Sequence, residues 1–237
     1  MILLRLTEHL RTQNWLAVAI EFVIVVAGVV IGFQITSWNE TQQDYRQEAL
    51  ILERLNADFV DIEERSSAGV VDLIERVDGA REMARLATIP VDEIDVDVFG
   101  PALQNSIGTL VPTGRSATYV ELLTSGEMRL IRSENLRLAL VRFDEQVRRQ
   151  ELAYETLADM VIGNAGILLT VQSLNDAVDT SSPQRYLDAL GQLRQSPEFL
   201  VAARMMVTVN SINHRWHSET HARAQEVLAA LNTETAP

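Results

Sequence analysis

The chain has 237 residues, 47% hydrophobic and 22% charged, which is too apolar for a disordered polymer and enough for a folded module plus an appendage. Its 20 basic residues are all arginine and stand against 33 acids, a formal net charge of −13, which excludes the basic footprint of a nucleic-acid binder. Cysteine is absent, which excludes disulfides, thiolate nucleophiles and cysteine-type zinc sites.

The charge is unevenly placed. Residues 1–33 hold Arg5 and Arg11 against Glu8 and Glu21 and sum to zero, so the whole −13 lies beyond them. Residues 1–14 read as a cytoplasmic leader or an interfacial helix, with Leu3, Leu6 and Leu10 at helical spacing. Residues 15–33, WLAVAIEFVIVVAGVVIGF, carry one charge, Glu21. As a helix they reach about 29 Å, the thickness of a bilayer core. Their Leu, Ile, Val and Phe residues offer on the order of −4 to −7 kcal/mol for insertion, against roughly +2.5 to +3.5 for one acid. A transmembrane helix is therefore predicted.

A cleaved signal peptide and a buried soluble helix are the alternatives. The exit GFQITSWNE lacks a small-x-small cleavage site, and a buried helix is seldom so rich in valine. Arg5 and Arg11 precede the span, whereas Arg46 alone follows it closely, beside Glu40, Asp44 and Glu48. The positive-inside rule then places the N-terminus in the cytoplasm and exports the acidic remainder. Trp15 and Trp38 flank the span as interfacial anchors do.

Within the span, Gly28 and Gly32 form a small-xxx-small pair that lets two helix backbones approach. Glu21 precedes them by seven and eleven residues, offsets that return to nearly the same helix face. A membrane partner on that face, either a second copy or another membrane protein, would shield Glu21 from lipid. Otherwise Glu21 snorkels to the interface and the glycines are incidental.

The stretch RLTEHLRTQNWLAVAIEFVIVVAGVVIGFQITSWNE resembles the N-terminus of a family of uncharacterised bacterial single-pass membrane proteins. The likeness includes Trp15, Glu21, Gly28, Gly32, Trp38 and Asn39. A second stretch, TYVELLTSGEMRLIRSENLRLAL, is similar to another segment of that family. Together they cover about a quarter of the chain. The resemblance implies a bacterial inner-membrane location and this architecture, but no activity; with the orientation read from the arginines, the C-terminal domain is expected in the periplasm.

Beyond the span the pattern is helical. Residues 34–86 contain no proline, and Leu52, Leu55, Phe59, Ile62, Ser66, Val70, Leu73, Val77, Ala80 and Ala84 form a coiled-coil-like stripe with one stutter at Ser66. Gly69 and Gly79 weaken that helix, and Pro90 ends it. Residues 91–98 alternate and fit a short strand, or a short helix opened by Asp92. Ser116 is placed to cap a helix through Leu123 that Ser125-Gly126 ends. Ser133 caps a long helix with the stripe Leu136, Leu140, Phe143 and Val147, running towards Leu174, with Gly163 and Gly166 as kink points.

A polar loop is expected over 175–182, and Ser182-Pro183 and Ser196-Pro197 each open a helix. The last carries Leu200, Ala203, Val207 and Ile212 as its stripe, and residues 233–237 form a frayed tail. The fold class predicted is all-α, a transmembrane helix (15–33) followed by an elongated antiparallel bundle over 34–232.

Candidate chemistry is sparse. His214, His217 and His221 share one helix face and form a candidate metal or pH-sensing site. A metal would need a further carboxylate from elsewhere, and the bland reading is a polar stripe between helices. Asp92, Glu93, Asp95 and Asp97 lack the glycine and final glutamate of an EF-hand. Arg115, Thr118 and Tyr119 could line a pocket or fix packing. No nucleophile elbow, phosphate loop or dinucleotide motif is present. The chain is read as a non-enzyme without a cofactor, an interaction or sensing module that self-associates in the membrane. The alternatives are an accessory subunit of an ion- or proton-driven membrane complex using Glu21, and a metal enzyme around His217 and His221.

Overall fold

A computed structural model describes residues 15–176 and 194–235, together with 188, 191 and 192. Among the described residues the protein is all-helical. We number the helices α1 (Trp15–Leu86), α2 (Val96–Ser106), α3 (Ala117–Ser125), α4 (Glu134–Asp176) and α5 (Pro197–Thr235). Single 3-10 turns lie at Val91–Glu93 and Glu127–Leu130. The leader 1–14 and the Ser182-Pro183 cap fall outside the described residues.

By packing, the chain divides into two units, Met1–Leu50 and Ile51–Pro237. The sequence reading set its boundary after residue 33. The observed one falls where the inward stripe of α1 begins, at Ile51 and Leu55.

In the first unit, α1 has one 18-residue window of mean hydropathy 2.2 with no buried residue. Ile20, Phe22 through Val26, Val29, Val30, Ile31, Phe33 and Ile35 all stand exposed. It is one helix long and apolar enough to cross a membrane.

The second unit holds two apolar clusters. One joins Leu55, Phe59 and Ile62 of α1 to Tyr119 and Leu122 of α3, Leu136, Leu140, Phe143 and Val147 of α4, and Ala224, Val227 and Leu231 of α5. Phe59 and Phe143 meet edge to face, with centroids 4.8 Å apart. The other joins Ala80, Met83 and Leu86 of α1 to Phe99, Ala102 and Leu103 of α2, Leu168 of α4, and Phe199, Ala202, Ala203 and Met206 of α5. The order of these residues sets direction. Early α1 meets early α4 and late α5, so α1 and α4 run parallel and α5 runs antiparallel to both. The bundle is therefore not antiparallel throughout, because the segment holding α2 and α3 carries the chain back between α1 and α4.

Local signals explain the ends. Just past the end of α1, the Ala87 and Ile89 carbonyls accept from Arg194 Nε (3.1 Å) and from its terminal nitrogen. The stretch 91–98 is neither a strand nor a helix from Asp92. Val91–Glu93 is a 3-10 turn, and Asp95 caps α2 by accepting from Asp97 N at 3.0 Å. Ser116 caps α3, Ser133 accepts from Leu136 N, and Ser196 accepts from Phe199 N. Gly126 ends α3 at φ +75, the left-handed region that favours glycine. Helix α4 runs to Asp176, into the expected loop, and α5 to Thr235, past the start of the expected frayed tail.

Gly79 marks a close approach. A Cβ there would lie 2.8 Å from Asn105 Cβ and 3.1 Å from the Ala102 carbonyl, so glycine lets α2 lie directly on α1. Arg115, Thr118 and Tyr119 fix packing. Arg115 Nε donates to the Asp144 carboxylate at 2.5 Å, and Tyr119 is buried. Asp58 accepts from Ser116 Oγ at 2.7 Å and Thr118 N at 2.9 Å. Burial works to raise the Asp58 carboxyl, but those hydrogen bonds and the Arg54 charge hold it below its usual range.

Candidate functional site: a polar layer inside the bundle

Between the two apolar clusters, α5 turns polar residues inward. Asn210, Asn213, His217 and Thr220 are all buried. They keep the 3–4 spacing of an inward stripe, so the helix presents one continuous face whose middle is polar. The sequence-predicted stripe was offset from this face. Ala203 is buried, but Leu200, Val207 and Ile212 are only half-buried.

Most of these groups have partners. Asn213 clamps the backbone of Leu110, accepting from its N–H at 2.8 Å and donating to its carbonyl at 3.1 Å. Asn210 Nδ2 donates to the Ser106 carbonyl at 2.8 Å and to that of Met206 at 3.0 Å. Thr220 Oγ1 donates to Gln150 Oε1 at 2.9 Å, and Gln150 Nε2 donates to the Trp216 carbonyl at 2.7 Å. Arg76 donates to the Ile107 carbonyl at 3.2 Å, and Thr109 Oγ1 lies 3.1 Å from the Tyr154 hydroxyl. The irregular segment 107–111, which lacks helix bonds of its own, is thus tied to α1, α4 and α5.

His217 is the exception. It is 5% exposed, and neither ring nitrogen completes a hydrogen bond among the described residues. Its ring sits over Gly69 of α1, where a Cβ would come within 3.0 Å of Nδ1 and 3.6 Å of the Leu110 side chain. Burial pushes the ring below the ordinary histidine value of 6.5; the Leu110 backbone pulls the other way, and charge on His214 adds to the lowering. Asn210 Oδ1 is a second buried acceptor left without a partner among the described residues.

The three histidines have different surroundings. His221 Nδ1 faces α1, 3.4 Å from Ser66 Oγ and 3.8 Å from Glu63 Oε1, while His217 meets Gly69 and His214 is half-buried. Among the described residues no three His, Asp or Glu side chains are placed to hold a metal ion. Ser66, His221 and Glu63 do not form a nucleophile relay in this arrangement. A relay needs serine and carboxylate on opposite ring nitrogens, and here both approach the same one.

Two other features complete the picture. A groove of about 600 Å³ lies between α4 and α5, lined by Gln146, Arg149, Trp216, Glu219, Arg223 and Glu226 among others. Its charges pair with neighbours, Arg223 with Glu226 at 2.7 Å and Gln146 with Glu219 at 2.6 Å. In the first unit, Glu21 is exposed, and a Cβ at Gly28 or Gly32 would meet none of the described residues within 4 Å. That face is open.

Sequence reasoning missed the inward turn of Asn210, Asn213 and Thr220. The signal was present, because their 3–4 spacing continues that of the flanking apolar residues. Compared with protein-family models, with curated proteins and with solved structures, the chain matches none.

Proposed function

We propose that the chain is a single-pass protein of the bacterial inner membrane, with a cytoplasmic N-terminus and an exported acidic helical module that binds partners rather than catalysing a reaction. One observation carries this reading. Helix α1 holds both the exposed apolar stretch and the first core stripe of the module without a break. The exit from the apolar stretch, GFQITSWNE, lacks a small-x-small cleavage site, which favours an anchor over a cleaved signal. Arg5 and Arg11 support the orientation, and the likeness of residues 5–40 to bacterial single-pass proteins supports the compartment.

A second copy is the partner we assign to the face of Glu21, Gly28 and Gly32. The open space beside both glycines lets another helix backbone approach, and a copy brings the same face to shield Glu21. The chain has no cysteine, so single cysteines introduced near Gly32 report on pairing alone. Disulfide crosslinking in native membranes is expected to trap a dimer, and Gly28→Leu with Gly32→Leu to reduce it severalfold. A chain that gives no homodimer, or gives as much with both leucines, would sink self-association.

A further inference from the structure

We infer that His217 is an acid-sensitive latch: its neutral ring closes the middle of the bundle against Gly69, and its protonation opens the contact between α1 and α5 there. The inference stands on the helical module alone, whatever the N-terminal helix does.

The geometry carries it. The ring is buried in the layer that separates two apolar clusters, over a glycine that leaves no spare room. A neutral imidazole leaves one donor and one acceptor unpaired in that site. An imidazolium adds a second donor and a full charge there, a far larger penalty that the Leu110 backbone offsets only in part. Among the described residues no counter-ion stands ready. On α5, His214 lies one turn before and its charge opposes protonation; His221 lies one turn after and turns to Ser66 and Glu63. On α1, Glu63 also accepts from Gln225, and Asp72 is held by Arg76 at 2.7 Å. Segment 107–111 offers the Leu110 backbone, which Asn213 also bonds and which favours the proton less than burial opposes it. From α4, Tyr154 pairs with Thr109.

The sign follows. Burial holds the ring of the closed form below 6.5, so the opened form takes the proton first. Above that value both forms are neutral and the latch is shut. Between 6.5 and the lowered value, each pH unit of acidification shifts the open-to-closed ratio up to about tenfold.

The test uses the full chain in lipid nanodiscs. Amide hydrogen exchange, corrected for its intrinsic pH dependence, is followed at pH 7.5 and 5.5. Residues 66–73 and 213–221 are expected to lose up to about tenfold in protection at the lower pH. His217→Gln is expected to abolish that loss, and His221→Gln to keep it. If His217→Gln fails to fold, carbon-13 NMR of labelled histidine in the unaltered chain decides instead, with His217 expected to titrate below the ordinary histidine range. A His217 that titrates in or above that range, or an acid-induced loss that persists in His217→Gln, would overturn the latch.

Discussion

Two stretches of α1 use nearly the same residue types to opposite ends. Over 19–35 the apolar side chains occupy consecutive positions, from Phe22 through Val26, so they cover every side of the helix and all are exposed. Over 51–86 they recur at steps of three and four. Leu55, Phe59, Ile62 and Leu73 are buried, and Val60, Val71 and Ile74 are left outside. The first arrangement satisfies its own backbone and asks for an apolar solvent; the second asks for partner helices on one side. The spacing of apolar residues, more than their number, tells which surroundings each half of the helix needs.

Substitutions in the two stretches should therefore part company. Phe59→Ala removes a fully buried ring and its contact with Phe143, and is expected to lower the stability of the module by about 3–5 kcal/mol in denaturant titration. Phe22→Ala, a ring 69% exposed, is expected to leave that titration unchanged. Equal losses would erase the distinction. Asn213→Ala strands both backbone groups of Leu110 and should cost about 2–3 kcal/mol by the same measurement. Gly126→Ala forces a side chain into the left-handed region and should cost about 1–2 kcal/mol. Smallest of all, Gly28→Leu and Gly32→Leu should leave thermal unfolding of the module where it was, because their surroundings are open. A clear drop in melting temperature would show that the module's stability depends on that face.

Much of this organisation was legible from residue order. The long apolar helix, the cap residues Ser116, Ser133 and Ser196, the end at Gly126 and most of the α1 stripe rest on local rules, which depend only on near neighbours in sequence. The centre of α5 was not legible in the same way. A pattern rule that sends polar residues outward cannot know that Leu110, more than a hundred positions earlier, arrives to be held by Asn213. Gly69 and Gly79 were misread for a related reason. Within their own helix they count as weak points, yet His217 and α2 use the space they leave. The histidine face was found, but burial separates His217 from its two neighbours, and sequence spacing does not report burial.

The central claim, that the apolar stretch of α1 holds the intact chain in a membrane, is tested most directly by alkaline extraction of membranes followed by intact-mass measurement. The expected result is a protein that stays with the lipid pellet at the full 26.5 kDa. A chain released into the alkaline supernatant, or recovered without residues 1–33, would contradict it.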